Sequence, residues 1–352
     1  MNLDNLVREN IKRLKPYTSA RQGHLSGILL DANENSFGSV IDSELNLNRY
    51  PDPNQNELRE KLSSYLQINK SNLFVGVGSD EIIDLLIRIF CEPKNDNVII
   101  LEPTYGMYKV ACDINDIEVK TAALTAEFQL DKSSINGCVD SNTKLIFCCS
   151  PNNPTGNLLS KKDILEIAKT FHGLLIVDEA YVDFNETGSV INLIKEIKNI
   201  VVMRTFSKAW GLAGIRAGYC IADESVIEYL FKIKSPYNLN KMTVKAIIEA
   251  LNSVDQKNIL INKIAEEKTK LIHYLEKHKL VDFIFPSDAN FILVRFKNGK
   301  YIYDTLVKKG IILRDRSNQL NLDNCIRITI GNTEENELLI KELDLLDEKN
   351  ID

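Results

Sequence analysis

One unit recurs along most of this chain: a short, β-branched apolar run, a polar turn, then an amphipathic segment. The runs fall at 73–77, 97–101, 144–149, 174–177, 200–203 and 217–221. Strands that are apolar at nearly every position have no face left for water, so they belong in a mainly parallel sheet covered by helices on both sides. The clearest intervening helix opens at Ser160, where the hydroxyl caps and Asp163 is placed to return the bond. It sets Ile164, Leu165, Ile167, Ala168 and Phe171 along one face and stops near Gly173. The fold class is therefore α/β, and in such a sheet chemistry belongs just beyond the carboxyl ends of the strands.

Beyond Ala222 the alternation stops. Long helical periodicity covers 241–279, followed by a strand at 291–296, a helix at 301–309, a strand at 325–330, a helix from Thr333 and an acidic, fraying tail at 344–352. We expect three parts: an arm over 1–48, with a helix at 5–14 and a short strand at 28–30, that completes the smaller domain; a large cofactor-binding domain over 49–240; and a smaller α+β domain over 241–352 that begins with a long connecting helix. A chain of 352 residues, 44% of them hydrophobic, can fill both cores.

Charge and composition narrow the function. A net charge of −6, with no block of like charges, argues against a nucleic-acid partner and for small molecules. The seven cysteines are scattered, with no C-x-x-C pair, which suits reduced thiols in a cytoplasmic protein. The polar, acidic amino terminus and the lack of a long apolar run predict neither secretion nor a membrane span. None of the four histidines stands at metal-ligand spacing, so no metal is expected.

Polar groups gather where the strands end. After 200–203 comes Thr205-Phe206-Ser207-Lys208-Ala209-Trp210-Gly211-Leu212-Ala213-Gly214-Ile215-Arg216. A lysine beside a hydroxyl and before an arginine suits an aldehyde cofactor that carries a phosphate. Lys208 would form the Schiff base, and Ser207 and Arg216 would hold the phosphate. Gly76-Val77-Gly78-Ser79-Asp80 runs into a helix whose first N–H groups, at Ser79 and Asp80, would also face an anion. A third glycine is missing there, which excludes a dinucleotide fingerprint. Asp178, at the end of 174–177, is placed to keep a pyridine nitrogen protonated, while Tyr181 and Asn153 would donate to a phenolic oxygen and Tyr105 would stack on the ring.

Together, Asn153-Pro154-Thr155-Gly156, Asp178-Glu179-Ala180-Tyr181 and the segment from Thr205 to Gly214 resemble the hallmarks of the fold-type I pyridoxal-phosphate-dependent aminotransferases. Within them the chain is similar to the branch acting on histidinol phosphate, from Leu14-Lys15-Pro16-Tyr17 to Arg327-Ile328-Thr329. The resemblance implies a fold-type I transferase with pyridoxal 5′-phosphate on Lys208, the catalytic residue, and histidinol phosphate and 2-oxoglutarate (leaving as glutamate) as substrates. It implies a homodimer with shared active sites, in which Tyr50 reaches the cofactor phosphate of the other subunit. It also implies a substrate pocket built from Tyr17, Asn33, Asn153, Tyr237, Asn238, Arg314 and Arg327. Two arginines thirteen residues apart suit a phosphate monoester better than one carboxylate clamp would. Other chemistries on the same fold are an aromatic-amino-acid aminotransferase and a threonine-phosphate decarboxylase.

Overall fold

A computed structural model describes residues 3–23 and 25–349. The larger lobe is built on seven strands: β1 (Leu73–Gly76), β2 (Asn97–Glu102), β3 (Glu118–Ala123), β4 (Thr143–Cys149), β5 (Leu174–Asp178), β6 (Ile200–Thr205) and β7 (Gly218–Ile221), in the order β1-β7-β6-β5-β4-β2-β3. The pairings β2–β3, β2–β4, β4–β5 and β5–β6 are parallel, and β7 alone runs against its neighbours β6 and β1. Period-two alternation buries both faces: β4 sends Leu145, Phe147 and Cys149 into one apolar cluster and Ile146 and Cys148 into the other.

The sequence reading misses β3, and the reason is its place at the sheet's edge. Paired on one side only, it reads Glu-Val-Lys-Thr-Ala-Ala, with Lys120 bonded to Asp140, the charged edge that blunts further pairing. The helix at Lys161–Thr170 forms with Ser160 Oγ accepting from the Asp163 N–H at 3.3 Å, but Asp163 does not return the bond. Its carboxylate pairs with Lys132 at 2.8 Å, and the Ser160 N–H goes to Gln129.

The smaller lobe carries β8 (Val281–Phe285), β9 (Phe291–Phe296), β10 (Arg314–Asp315) and β11 (Cys325–Thr329), antiparallel in the order β10-β11-β9-β8. Ile292, Val294, Ile326 and Ile328 pack on Leu271, Leu275, Leu306 and Leu343 of the flanking helices. The opposite face sends Leu293 and Cys325 into the larger lobe's core. That second face therefore looks toward the ends of the parallel strands. The periodicity over 241–279 resolves into two helices, Lys241–Leu251 and Val254–Leu275, broken at Asn252-Ser253.

The arm departs most from expectation. The helix expected at 5–14 is a 3₁₀ turn, Leu3–Leu6, and a separate helix, Glu9–Arg13, and the strand expected at 28–30 does not form. Nor does its start complete the smaller domain. Leu3 and Val7 pack in the larger lobe's core, the Arg8 N–H donates to the Ile89 carbonyl at 3.0 Å, and its guanidinium pairs with Glu92 at 2.9 Å. Leu3 and Val7, four residues apart, are apolar anchors in the cluster that also holds Ile83 and Ile87 of the helix Gly78–Phe90 and Val226, Ile227 and Leu230 of the helix Glu224–Ile233. Farther on, buried Arg21 bonds to Asp31 and Glu34. Glu34 also accepts from Arg49 at 2.9 Å and from the Tyr50 N–H at 2.6 Å, and Tyr50 stacks on Tyr237 at 4.5 Å. Between these ties Ile28, Phe37 and Val40 stand 91%, 104% and 103% exposed.

The tail expected to fray from 344 is helical to Lys349, seated by Leu343 and Leu346; residues 350–352 lie outside the described residues. Among the described residues no helix is long and apolar enough to cross a membrane.

Candidate active site

Ser79, Asp80, Tyr105, Asn153, Asp178, Tyr181, Ser207, Lys208 and Arg216 all line one cavity of about 140 Å³ beyond the carboxyl ends of the strands. They come from five separate segments, so only the sheet's topology brings them together. A larger depression of about 700 Å³, between the arm and the helix Glu224–Ile233, contains Tyr17 but no such set of groups.

Close backbone packing shapes one end of the cavity. Gly78, at φ +74°, starts the helix Gly78–Phe90, and a Cβ there would lie 3.0 Å from Arg216 Nη2. A Cβ on Gly218 would lie 2.6 Å from the Ser79 nitrogen, so glycine is what lets the helix start sit against β7. The first-turn N–H groups of this helix have no partner within it, and their dipole favours an anion. Arg216, itself left-handed at φ 52°, reaches the same point and pairs with Asp80 at 3.3 Å. Asp80 also accepts from the Tyr105 hydroxyl at 3.3 Å.

At the other end Asp178 is 3% exposed. Burial pushes its carboxyl up to about 6, against hydrogen bonds that favour the charged form: the Tyr108 hydroxyl donates to Oδ2 at 2.7 Å and the Ala180 N–H to Oδ1 at 3.1 Å. Tyr108 is fully buried and stacks on Phe147 at 4.7 Å. The sequence does not single it out: it sits in the first turn of the helix Met107–Ile114, its ring edge-on to Tyr105 at 5.5 Å, and no polar strand end marks it. Tyr108→Phe removes one of the bonds that hold the pKa down. The acid limb of cofactor binding is then expected to move up by about one pH unit, measured as cofactor Kd against pH; an unmoved limb would show that the bond does not tune Asp178.

Lys208 opens onto the cavity with its Nζ 5.4 Å from the centre of the Tyr181 ring. Desolvation, then the charge of Arg327, pull its pKa down, so the neutral amine is more accessible than for an ordinary lysine. Burial pushes the Tyr105 and Tyr181 phenols up and keeps them protonated as donors. Asn153 Nδ2 lies 3.5 Å from the Tyr181 hydroxyl, and its Oδ1 accepts from Arg327. This contact joins the smaller lobe's arginine to the cavity. Arg314 lies directly opposite Arg327 in the β10–β11 pairing.

Neither arginine lines the cavity itself, Arg314 being exposed, and other expected substrate residues also lie outside it. Tyr17 is 75% exposed, and Asn33 and Tyr50 border a separate groove. Tyr237 is held by its stack on Tyr50. The Asn238 amide is engaged by Gln55, the Val75 carbonyl and Glu81.

An amine of lowered pKa, a buried carboxylate, two phenols, an amide and an anion-binding helix start, set around one cavity at the carboxyl ends of a mainly parallel sheet, define a fold-type I pyridoxal-phosphate enzyme. The donor set suits pyridoxal 5′-phosphate: Asp178 would face the ring nitrogen, Asn153 and Tyr181 the phenolic oxygen, Tyr105 the ring face and Lys208 the aldehyde, while Ser79, Asp80, Ser207 and Arg216 would hold the phosphate.

The chain belongs to the aminotransferase class I and II family, whose pattern matches residues 26–343. It is 45% identical over 344 residues to the histidinol-phosphate aminotransferase of Cytophaga hutchinsonii, covering 97% of this chain and 98% of that one. Among solved structures, the histidinol-phosphate aminotransferase of Clostridium acetobutylicum superposes with a TM-score of 0.80 at 26% identity, over 86% of this chain and 92% of that one. The L-threonine-O-3-phosphate decarboxylase of Porphyromonas gingivalis superposes with a TM-score of 0.72 at 27% identity, over 84% and 92%.

Proposed function

We propose that this enzyme transaminates L-histidinol phosphate with 2-oxoglutarate, giving imidazole-acetol phosphate and glutamate, a step of histidine biosynthesis. The observation that carries the reading is Arg314 paired in register with Arg327, whose guanidinium bonds to Asn153 at the cavity. Arg327, whose charge acts on Lys208, together with the exposed Arg314 opposite it would suit a substrate that carries a phosphate where amino acids carry a carboxylate. The relatives at about 45% identity support the same substrate.

Pyridoxal 5′-phosphate, when bound, supplies an aldehyde that condenses with amines and a ring that withdraws electrons from the bond to be broken. The chain does the rest. Asp178 holds its charge against the ring nitrogen, and Asn153 and Tyr181 donate to the phenolic oxygen. Lys208 Nζ, its pKa lowered, accepts the proton that leaves the substrate's amine-bearing carbon. Arg327 holds the phosphate of one substrate and the α-carboxylate of the other.

The division into an arm, a lobe over 49–240 and a lobe over 241–352 belongs to this reading, as do a homodimer and the roles of Tyr17, Asn33, Tyr237 and Asn238 around the substrate. Apolar arm residues such as Phe37 and Val40, bare in one copy, suit burial on a second, whose Tyr50 would complete the phosphate site. Buried, unpaired cysteines suit the cytoplasm. The test is turnover with 2-oxoglutarate as acceptor. We expect histidinol phosphate to be used at least about tenfold better in kcat/KM than phenylalanine or tyrosine, with no CO₂ released from threonine phosphate. Preference for an aromatic amino acid would discard the substrate and keep the chemistry; CO₂ release would reassign the enzyme as a decarboxylase.

A further inference from the structure

The pairing that sets Arg314 against Arg327 continues to Arg316, whose N–H donates to the Cys325 carbonyl at 2.9 Å. Side chains alternate along strands, so Arg314 and Arg316 leave the same face as Arg327 and Cys325. This is the face that carries Leu293 and Cys325 to the larger lobe, not the one that carries Ile326 and Ile328 into the smaller lobe's core. Asp315, between the two arginines, leaves by the other face and accepts from the Ser317 N–H at 2.9 Å.

Three guanidinium groups thus share one face, and their partners are few. The Nε atoms of Arg316 and Arg327 are both sealed from solvent without a hydrogen-bond partner. Arg327 donates to the neutral Asn153 amide, and among the described residues no carboxylate stands within ion-pairing distance of Arg314, Arg316 or Arg327. Burial, and then the charges of Arg327 and Arg314, pull the Arg316 pKa down, while Tyr181 and then the neighbouring Asp315 oppose them. Half-buried cations left without counter-charge are costly to a fold, and a chain of net charge −6 has carboxylates to spare. The counter-charge is therefore a ligand's.

We propose that Arg316 is the third cation of the substrate pocket, and that it sets the preference for a substrate bearing a doubly charged phosphate monoester. Two forks saturate a carboxylate. A phosphate monoester has three terminal oxygens and up to two charges, and the third guanidinium answers the remainder. The proposal rests on the histidinol-phosphate reading, and deepens it by naming the residue that separates a phosphate from a carboxylate.

The test uses the cofactor-loaded enzyme at fixed ionic strength, as wild type, Arg316→Gln and Arg316→Lys. In Arg316→Gln the KM for histidinol phosphate is expected to rise about 10- to 100-fold. Its kcat and the glutamate half-reaction should change little, and its melting temperature should hold or rise. Arg316→Lys, which keeps the charge without the fork, should recover part of the loss. Phenyl phosphate serves as an independent probe: its inhibition of the glutamate half-reaction should weaken about tenfold or more in Arg316→Gln. Equal inhibition of wild type and Arg316→Gln overturns the proposal, and so does an equal loss on glutamate and on the phosphate ligands. A wild type that ignores histidinol phosphate, while its phenyl phosphate inhibition still depends on Arg316, removes the substrate reading and leaves this role standing.

Discussion

Lys208→Ala is expected to reduce turnover by about 10⁴-fold or more while the protein still folds and still binds its cofactor without a covalent link. The lost factor combines the anchoring amine with the general base, and proton transfer alone is worth roughly 10² to 10⁴. Among the described residues, no other lysine lines the cavity to take its place. Folding should not suffer, and the sign follows from the pKa. The folded-state value of Lys208 is depressed, mainly by desolvation, so its contribution to stability is full at high pH and is lost as pH falls through the folded pKa. Below its unfolded pKa the desolvated amine is therefore a burden, and its removal leaves the melting temperature of the cofactor-free protein unchanged or raised. Absorbance of the loaded variant should lack the band of covalently held cofactor, and added methylamine should restore a fraction of turnover. A variant that keeps more than a few per cent of wild-type turnover would remove Lys208 from the chemistry.

How much of this was legible beforehand depends on how local each signal is. Strands β4, β5 and β6 are apolar on both faces, so their runs stand out and their polar ends are conspicuous; Asn153, Asp178 and Lys208 could be read from them directly. The edge strand β3 and the two-residue strand β10 have no such run. The arm was read least well. Its helix breaks before Glu9, and its loop is held by Arg21, Glu34 and Arg49, whose contacts span 13 to 15 residues and follow no period. Tyr108 and Arg316 were missed for a related reason. Tyr108 acts through Asp178, and Arg316 joins the face of Arg314 and Arg327 only through the β10–β11 register, which no local pattern reveals.

Asp178→Asn is expected to separate stability from function more sharply than any other change in the site. Burial raises this carboxyl from 3.8 to about 6. A group whose folded pKa is raised contributes stability at pH values below its unfolded pKa and loses it as pH climbs through the folded one. Above pH 6 the cofactor-free protein therefore carries a buried charge at a cost of about 3 kcal/mol. Asparagine removes that charge but can keep only one of the two bonds now accepted from Tyr108 and the Ala180 N–H, a loss of about 1 kcal/mol. The cofactor-free variant should thus be more stable than wild type by about 2 kcal/mol at pH 8, and the difference should vanish near pH 4, which denaturant melts at the two pH values would measure. Activity should move the other way. Without the carboxylate nothing holds a proton on the ring nitrogen, and a loss of about a thousandfold in kcat, on the order of 4 kcal/mol of barrier, is expected. A variant that is both active and no more stable would mean that Asp178 pays no desolvation cost and holds no ring charge. A variant that is inactive but more stable would identify the buried charge as a burden the fold carries for the sake of the cofactor, relieved when the ring's cation settles against it.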